Sequence, residues 1–237
     1  MNQTKPASTL LSVNSSTQET FDALLKKPGV LRLAIVSDGS KRKLYLRLLA
    51  LVVLGAVLFG LTLGGFTFSI QLLAVPLKLV LGLGMSALIC LPSLYVFSAL
   101  TGTQLTLPQI ALSLVTALSL TSALLLGFAP VLWVFSRSTD SVGFFGTLTL
   151  VAWLISLGFG LRLLTRILGS EEEKLRAPMK VWMAIFLFVT LQMSTALRPL
   201  ISEPDQHFNS EKLFFTEHWA NQMFSFENST LETEAGR

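Results

Sequence analysis

Long apolar segments alternate with short polar ones along most of the chain. Five segments reach the roughly 17–25 apolar residues that a helix needs to cross a bilayer core: 48–66, 79–99, 110–134, 142–161 and 181–197. They are apolar on all faces, whereas the strands of a membrane β-barrel alternate in polarity. Backbone groups in the hydrocarbon must bond within their own segment, so each segment is predicted to be a helix. The expected fold class is an all-α integral membrane protein, a bundle of five transmembrane helices.

The charged residues are few and unevenly placed. Of the 237 residues, 51% are hydrophobic and 14% charged, whereas a typical soluble domain has roughly 25% charged residues. From Leu48 to Leu161 the only charged residues are Lys78, Arg137 and Asp140. A soluble fold keeps much of its surface in water and cannot hide so long an uncharged stretch. This distribution excludes a soluble enzyme, a secreted disulfide scaffold and a disordered chain.

The basic residues predict the orientation in the membrane. The N-terminal tail, residues 1–47, holds eight Lys or Arg residues, and the loop between the fourth and fifth segments holds five. These thirteen stand against four on the other side, which places the N-terminus in the cytoplasm and the C-terminus outside. The five-span domain, 48–197, is then followed by an acidic outer tail, 198–237. Basic residues beside apolar segments indicate membrane lipids as partners, and no nucleic acid.

The N-terminal tail is predicted to contain a short amphipathic helix. Ser16 and Glu19 form a capping box that would open it, and Pro28-Gly29 would end it. An apolar stretch, 30–36, and a basic run, 41–43, follow. Two interpretations stay open: a lead-in that lies on the anionic inner leaflet, or a solvated tail whose charges only set the orientation.

The second and third spans carry signals for their own shape. The apolar stretch 72–100 is longer than a bilayer core, so we expect it to start in the interface near Pro76 and to bend near Pro92. The third span starts at a capping box formed by Thr106 and Gln109. Three aromatic residues fall near predicted interfaces, where such side chains are enriched: Tyr45, Trp133 and Trp182.

Small and hydroxyl-bearing residues indicate close helix packing. Ala56, Gly60 and Gly64, at four-residue spacing, form a small-residue face on which another helix could lie. The third span carries four hydroxyl side chains at three-residue steps: Ser113, Thr116, Ser119 and Ser122. Their arc of about 180° is wider than a pore stripe. We therefore expect them to bond to carbonyl groups of their own helix or to pack against neighbours.

Four charged residues near the outer side are the candidate functional or anchoring residues. Lys78 lies within the apolar stretch 72–100, about one and a half turns from Leu72, where an ionisable group is either a site or an anchor that snorkels to lipid phosphates. Arg198 ends the fifth span, and Glu203 and Asp205 follow within seven residues. We expect one of these carboxylates to fold back toward Arg198 or Lys78 and so close the tail over the outer end of the bundle.

Motifs for catalysis and metal binding are missing from the sequence. There is no HExxH, GxSxG, Walker A or GxGxxG motif, and no span contains a carboxylate. His207 and His218 stand eleven residues apart with no cysteine nearby, which does not suit a zinc site. We therefore expect neither an enzyme nor an ion-coupled pump, and no cofactor or metal.

Two short strings carry a resemblance to a known group. They are Leu91-Pro92-Ser93-Leu94-Tyr95-Val96-Phe97, and Gln192-Met193 followed by Leu197-Arg198-Pro199. Over residues 20–215 the chain resembles a group of bacterial multi-pass membrane proteins that is similar in layout to the Yip1 family, with a cytoplasmic N-terminal region and five spans. The resemblance implies this fold and the cytoplasmic membrane of a bacterium, without catalytic residues or a substrate.

Two functions from different classes fit this pattern. The first is a non-enzymatic scaffold or accessory subunit of a membrane complex. It would work through helix contacts and its two polar tails, with a membrane-protein partner or with itself. The alternative is a small-solute or lipid transport component in which Lys78 contacts an anion.

Overall fold

Every secondary-structure element in the described part of the chain is a helix, and that part contains no β-strand. The computed structural model describes residues 24, 28–36, 41–64, 71–100, 102–103, 105–138, 142–169 and 173–196. The helices in these ranges are α1 (Pro28–Val36), α2 (Lys41–Gly64), α3 (Gln71–Leu100), α4 (Leu107–Ser138), α5 (Val142–Leu168) and α6 (Glu173–Ala196). The predicted all-α class is confirmed for this part of the chain.

Four helices, α2 to α5, are long and apolar enough to cross a membrane. Their apolar lengths are 23, 26, 32 and 25 residues, against the roughly 20 that a bilayer core requires. Helix α6 has 24 residues, but its apolar part, Ala177–Met193, is shorter than those of the other four. Within the described residues the chain thus has four helices that could cross a membrane, which suggests a membrane-embedded protein.

The second predicted span is one helix through both of its prolines. It begins at Gln71, so residues 72–78 are helical, and it continues unbroken past Pro76 and Pro92. Where this helix enters the membrane stays a prediction. Pro76 is the sixth residue of the helix, so its missing N–H removes the intrahelical bond to Leu72 O.

Helix α2 packs closely on α3 where Gly60 faces Pro76. A Cβ atom on residue 60 would stand 2.5 Å from the Pro76 Cα atom. Real Cβ contacts are never so short, so this approach of the two backbones requires glycine at position 60. The proline ring and the glycine backbone therefore set the spacing of the α2–α3 pair.

Helix α4 is the centre of the bundle. Of its spanning segment 67% is buried, against 28–39% for α2, α3 and α5, and it packs mainly on α2 and α5. One of the two bonds of the predicted capping box is present, since the Thr106 backbone N–H donates to Gln109 Oε1 over 2.9 Å, while the Gln109 N–H donates to the Thr106 carbonyl. The cap fixes the first residue of the helix at the end of the loop from α3.

Three of the four hydroxyl groups predicted to bond within α4 do so, whereas the buried Ser122 hydroxyl has no hydrogen-bond partner among the described residues. Ser113 donates to Gln109 O, Thr116 to Leu112 O and Ser119 to Thr116 O, over 2.7–2.8 Å. All three side chains are fully buried. Satisfying these hydroxyls within the helix leaves a smooth surface of small residues on which α2 and α5 can pack.

Helix α6 packs on α3 through a buried tryptophan. Trp182 is 0% exposed, and its indole stacks on Phe186 with ring centroids 5.2 Å apart. The sequence places Trp182 in an interfacial belt, and this is wrong, because α3 covers it. Tyr45 and Trp133, which share the belt prediction, are exposed.

The short helix α1 docks on the bundle. Leu31 and Ile35 are 0% exposed and share a buried cluster with Leu48, Leu112 and Ile167, which belong to α2, α4 and α5. A solvated tail does not describe this helix, because Leu31 and Ile35 are covered by the protein. Leu33 and Val36 stay exposed, and contact of this helix with the inner leaflet stays a prediction. Helix α1 begins at Pro28, so the prediction that Pro28-Gly29 ends a helix is wrong. Proline suits the first turn of a helix, where its missing N–H costs no intrahelical bond. The predicted helix from Ser16 lies outside the described residues, apart from Leu24, which is helical and buried.

The two ends of the bundle differ in charge. We call the end formed by α1, the first turns of α2, α4 and α6, and the last turns of α3 and α5 the basic end. Its exposed cations are Arg32, Arg42, Lys43, Arg162, Arg166 and Lys180. At the opposite end the described cations are Lys78 and Arg137.

Candidate functional site

A cavity of about 290 Å³ lies between α2, α3, α5 and α6. Its wall comes from the later turns of α2 and α6 and the early turns of α3 and α5, so it lies toward the end opposite to the basic end. Most of the wall is apolar, with Phe59, Leu83 and Trp153 as large contributors. The volume is close to the lower limit of the roughly 300–1,000 Å³ typical of small-molecule pockets. It suits a small solute or a single alkyl chain.

Lys78 is the one ionisable residue among the described residues that line this cavity. It is half-buried and stands seven residues into α3, or about 10 Å along the helix axis. A charge beside apolar walls interacts more strongly with an anion than it does in water, because fewer solvent dipoles screen it. The cavity therefore combines an apolar space with one fixed positive charge.

Two threonines add hydrogen-bonding capacity to the wall. Thr190 on α6 donates its hydroxyl to Phe186 O over 2.7 Å and keeps its oxygen lone pairs. Thr149 on α5 has a buried hydroxyl oxygen with no hydrogen-bond partner among the described residues. A buried polar group without a partner costs about 1–3 kcal/mol. Rotation of Thr149 about χ1 toward a polar ligand group would recover a bond.

Two glycines line the cavity, and their lack of a side chain leaves space in it. Gly82 on α3 and Gly146 on α5 both belong to the wall. A Cβ atom on Gly146 would have no neighbour within 4 Å. A larger side chain at residue 146 could thus enter the space without a backbone clash.

The candidate residues predicted from the sequence do not form one site among the described residues. Lys78 lies in the cavity wall, while Ala56, Gly60 and Gly64 are buried within the chain's own helix contacts. Arg198, Glu203 and Asp205, with the predicted fold-back of the tail, lie outside the described residues.

Sequence reasoning missed Thr149, Thr190 and Trp153 as wall residues. No motif in the sequence marks these three residues, and the packing of α5 and α6 with α2 and α3 brings them to one place. For metal chemistry, the described residues contain no cluster of three or more His, Cys, Asp or Glu side chains.

No family model, curated protein or solved structure matches this chain.

Proposed function

We propose that the protein is a membrane-embedded transport component that binds a small anionic solute or a single-chain lipid in the cavity around Lys78. The observation that carries this proposal is the position of Lys78 in the wall of an apolar cavity. An ionisable residue inside a membrane domain is costly and marks a functional site by default.

The wall chemistry defines the ligand class. A carboxylate or phosphate group would contact the Lys78 ammonium group and accept a hydrogen bond from Thr149. An alkyl portion would lie against Phe59 and Trp153, where its burial contributes roughly 0.8 kcal/mol per methylene group. An amphiphile with one anionic group and one short chain meets both conditions.

Five spans with a cytoplasmic N-terminus belong to this proposal. The apolar segment of α6, Ala177–Met193, is about as long as the lower limit of the roughly 17–25 residues that a span requires. Helix α6 pairs with α3, which is of full spanning length. The exposed cations at the basic end support its placement in the cytoplasm, and the cavity would then open toward the outer leaflet.

A scaffold or accessory-subunit function is the alternative, and one feature weighs against it. The small-residue face that could receive a partner helix is used within the chain, since Ala56, Gly60 and Gly64 are buried.

Native mass spectrometry of the protein purified in mild detergent tests the proposal. The wild type should carry an acidic small molecule or lipid that is lost in Gly146→Leu, which fills the cavity, and retained in Gly84→Leu. Gly84 is the matched control because it is exposed on α3 and a Cβ atom there also has no neighbour within 4 Å. A stoichiometric protein partner without any small molecule would favour the scaffold.

A further inference from the structure

Three arginines gather where α1 meets the end of α5, far from the cavity. A terminal guanidinium nitrogen of Arg32 lies 2.9 Å from the point where a Cβ atom on Gly169 would stand. Gly169 follows α5 directly, and its N–H donates to Arg166 O over 3.3 Å. Arg162 is one turn earlier on the same helix face, where side chains four residues apart are neighbours. All three arginines are exposed.

The helices that carry these arginines cannot move apart easily. Leu31 and Ile35 hold α1 in a buried cluster that includes Leu163 and Ile167 of α5. The last residue of α1, Val36, accepts a long hydrogen bond of 3.5 Å from the Gln109 side chain of α4. Thr103 donates to Leu168 O over 3.2 Å and secures the last turn of α5. The positions of the charges are thus fixed by apolar burial beneath them.

Holding three positive charges together costs free energy. Like charges four residues apart on a helix repel each other, and Arg32 adds a third charge within about one turn of Arg166. Within the described ranges none of the three forms an ion pair. The C-terminal carbonyls of α5 attract Arg32, but they carry only about half a unit of negative charge. An anion bound among the three guanidinium groups would relieve the repulsion.

We propose that Arg32, Arg162 and Arg166 form a binding site for the phosphate group of an anionic membrane phospholipid. Guanidinium groups bind phosphate with two parallel hydrogen bonds each, which a single ammonium group cannot do. The site is independent of the cavity around Lys78 and of the ligand that the cavity holds.

The length of α5 places this site at the level of the lipid head groups. The helix has 27 residues and is about 40 Å long, against a hydrocarbon core of about 30 Å. Its last two turns, which carry Arg162 and Arg166, therefore emerge among the phosphates. A lipid phosphate is present there at high local concentration, while a soluble phosphate ion must come from the bulk solution.

Thermal unfolding of the delipidated protein in non-ionic detergent tests this site. Added phosphatidylglycerol should raise the melting temperature of the wild type, while phosphatidylcholine and inorganic phosphate should not. At least half of the gain should be lost in the double variant Arg162→Gln and Arg166→Gln, and in Arg32→Gln. Lys180→Gln should keep the gain, because Lys180 is an exposed cation of the same end on α6, which packs on α3.

The same variants without lipid give an independent readout. They should melt at the wild-type temperature or above it, because removing a like charge lowers the repulsion. Melting at a lower temperature would mean that the arginines are already neutralised within the protein, and it would overturn the site. An equal loss of the lipid effect in Lys180→Gln would also overturn it, in favour of diffuse attraction to the whole basic end. An equal gain with inorganic phosphate would reject a phospholipid as the ligand.

Discussion

The indole N–H of Trp182 on α6 donates a hydrogen bond to the Ser93 hydroxyl on α3 over 3.1 Å. Ser93 in turn donates its own hydrogen to Cys90 O over 2.8 Å. These two bonds join α6, whose apolar part is shorter than those of α2 to α5, to a helix of full spanning length. They support the inclusion of α6 in the membrane bundle.

Removing either partner of this bond should destabilise the α3–α6 pair. We expect Ser93→Ala and Trp182→Phe each to lower the free energy of unfolding, because interhelical hydrogen bonds in membranes contribute about 0.6 kcal/mol on average and up to about 1.7. The double variant should lose less than the sum of the two. Unfolding in mixed micelles measures all three, and strict additivity would contradict a direct bond.

Close approach at Gly60 gives a second prediction. Gly60→Ala should destabilise the protein by about 1–3 kcal/mol, as overpacking does, because the new methyl group would meet the Pro76 backbone. Gly84→Ala is the matched control, since a Cβ atom there has no neighbour within 4 Å. Gly84→Ala should be neutral or stabilising through helix propensity. Equal effects of the two substitutions in thermal unfolding would contradict the α2–α3 packing.

Docking of α1 is testable with two leucines of that helix. Leu31 is 0% exposed and Leu33 is 57% exposed. Leu31→Ala should cost about 2–5 kcal/mol, as large-to-small core substitutions do, and should speed hydrogen exchange in α1. Leu33→Ala should change little. If both variants exchange alike, α1 does not pack on the bundle.

Hydrophobicity along the chain predicts the membrane helices but not their ends. The first span is predicted over 48–66, whereas α2 starts at Lys41, because a helix can continue through basic residues outside the hydrocarbon. Helix α5 likewise runs beyond Leu161 to include Arg162 and Arg166. Hydropathy predicts which residues lie in the hydrocarbon core. The ends of a helix depend also on packing outside the bilayer.

The sequence predicts the charged residue of the candidate site, but it does not predict the cavity around that residue. Lys78 stands out in the sequence because it interrupts a long apolar stretch. Its neighbours Thr149 and Thr190 come from spans far along the chain, and their proximity follows from helix arrangement alone. Trp182 shows the same limit, since an aromatic residue near a span end suits an interface and a buried contact equally well.

Membrane orientation can be tested by cysteine labelling of sealed cells. With Cys90→Ala as background, Lys43→Cys at the basic end should stay unlabelled by an impermeant thiol reagent, and Ser138→Cys at the opposite end should react. Both positions are exposed. In the five-span arrangement Ser210→Cys should react like Ser138→Cys. Labelling at Ser138 without labelling at Ser210 would indicate that α6 does not cross the membrane.

Binding of a simple anionic amphiphile tests the central claim most directly. Equilibrium binding of radiolabelled decanoate to the purified protein should be at least about tenfold weaker in Lys78→Met, because a hydrogen bond to a charged group contributes about 1.5–3 kcal/mol. Arg137→Met is the matched control, since it removes an exposed cation at the same end but outside the cavity wall, and it should bind like the wild type. Decanol, which lacks the charge, should not distinguish the three proteins. Equal decanoate affinity in the wild type and Lys78→Met would contradict an anion site at Lys78.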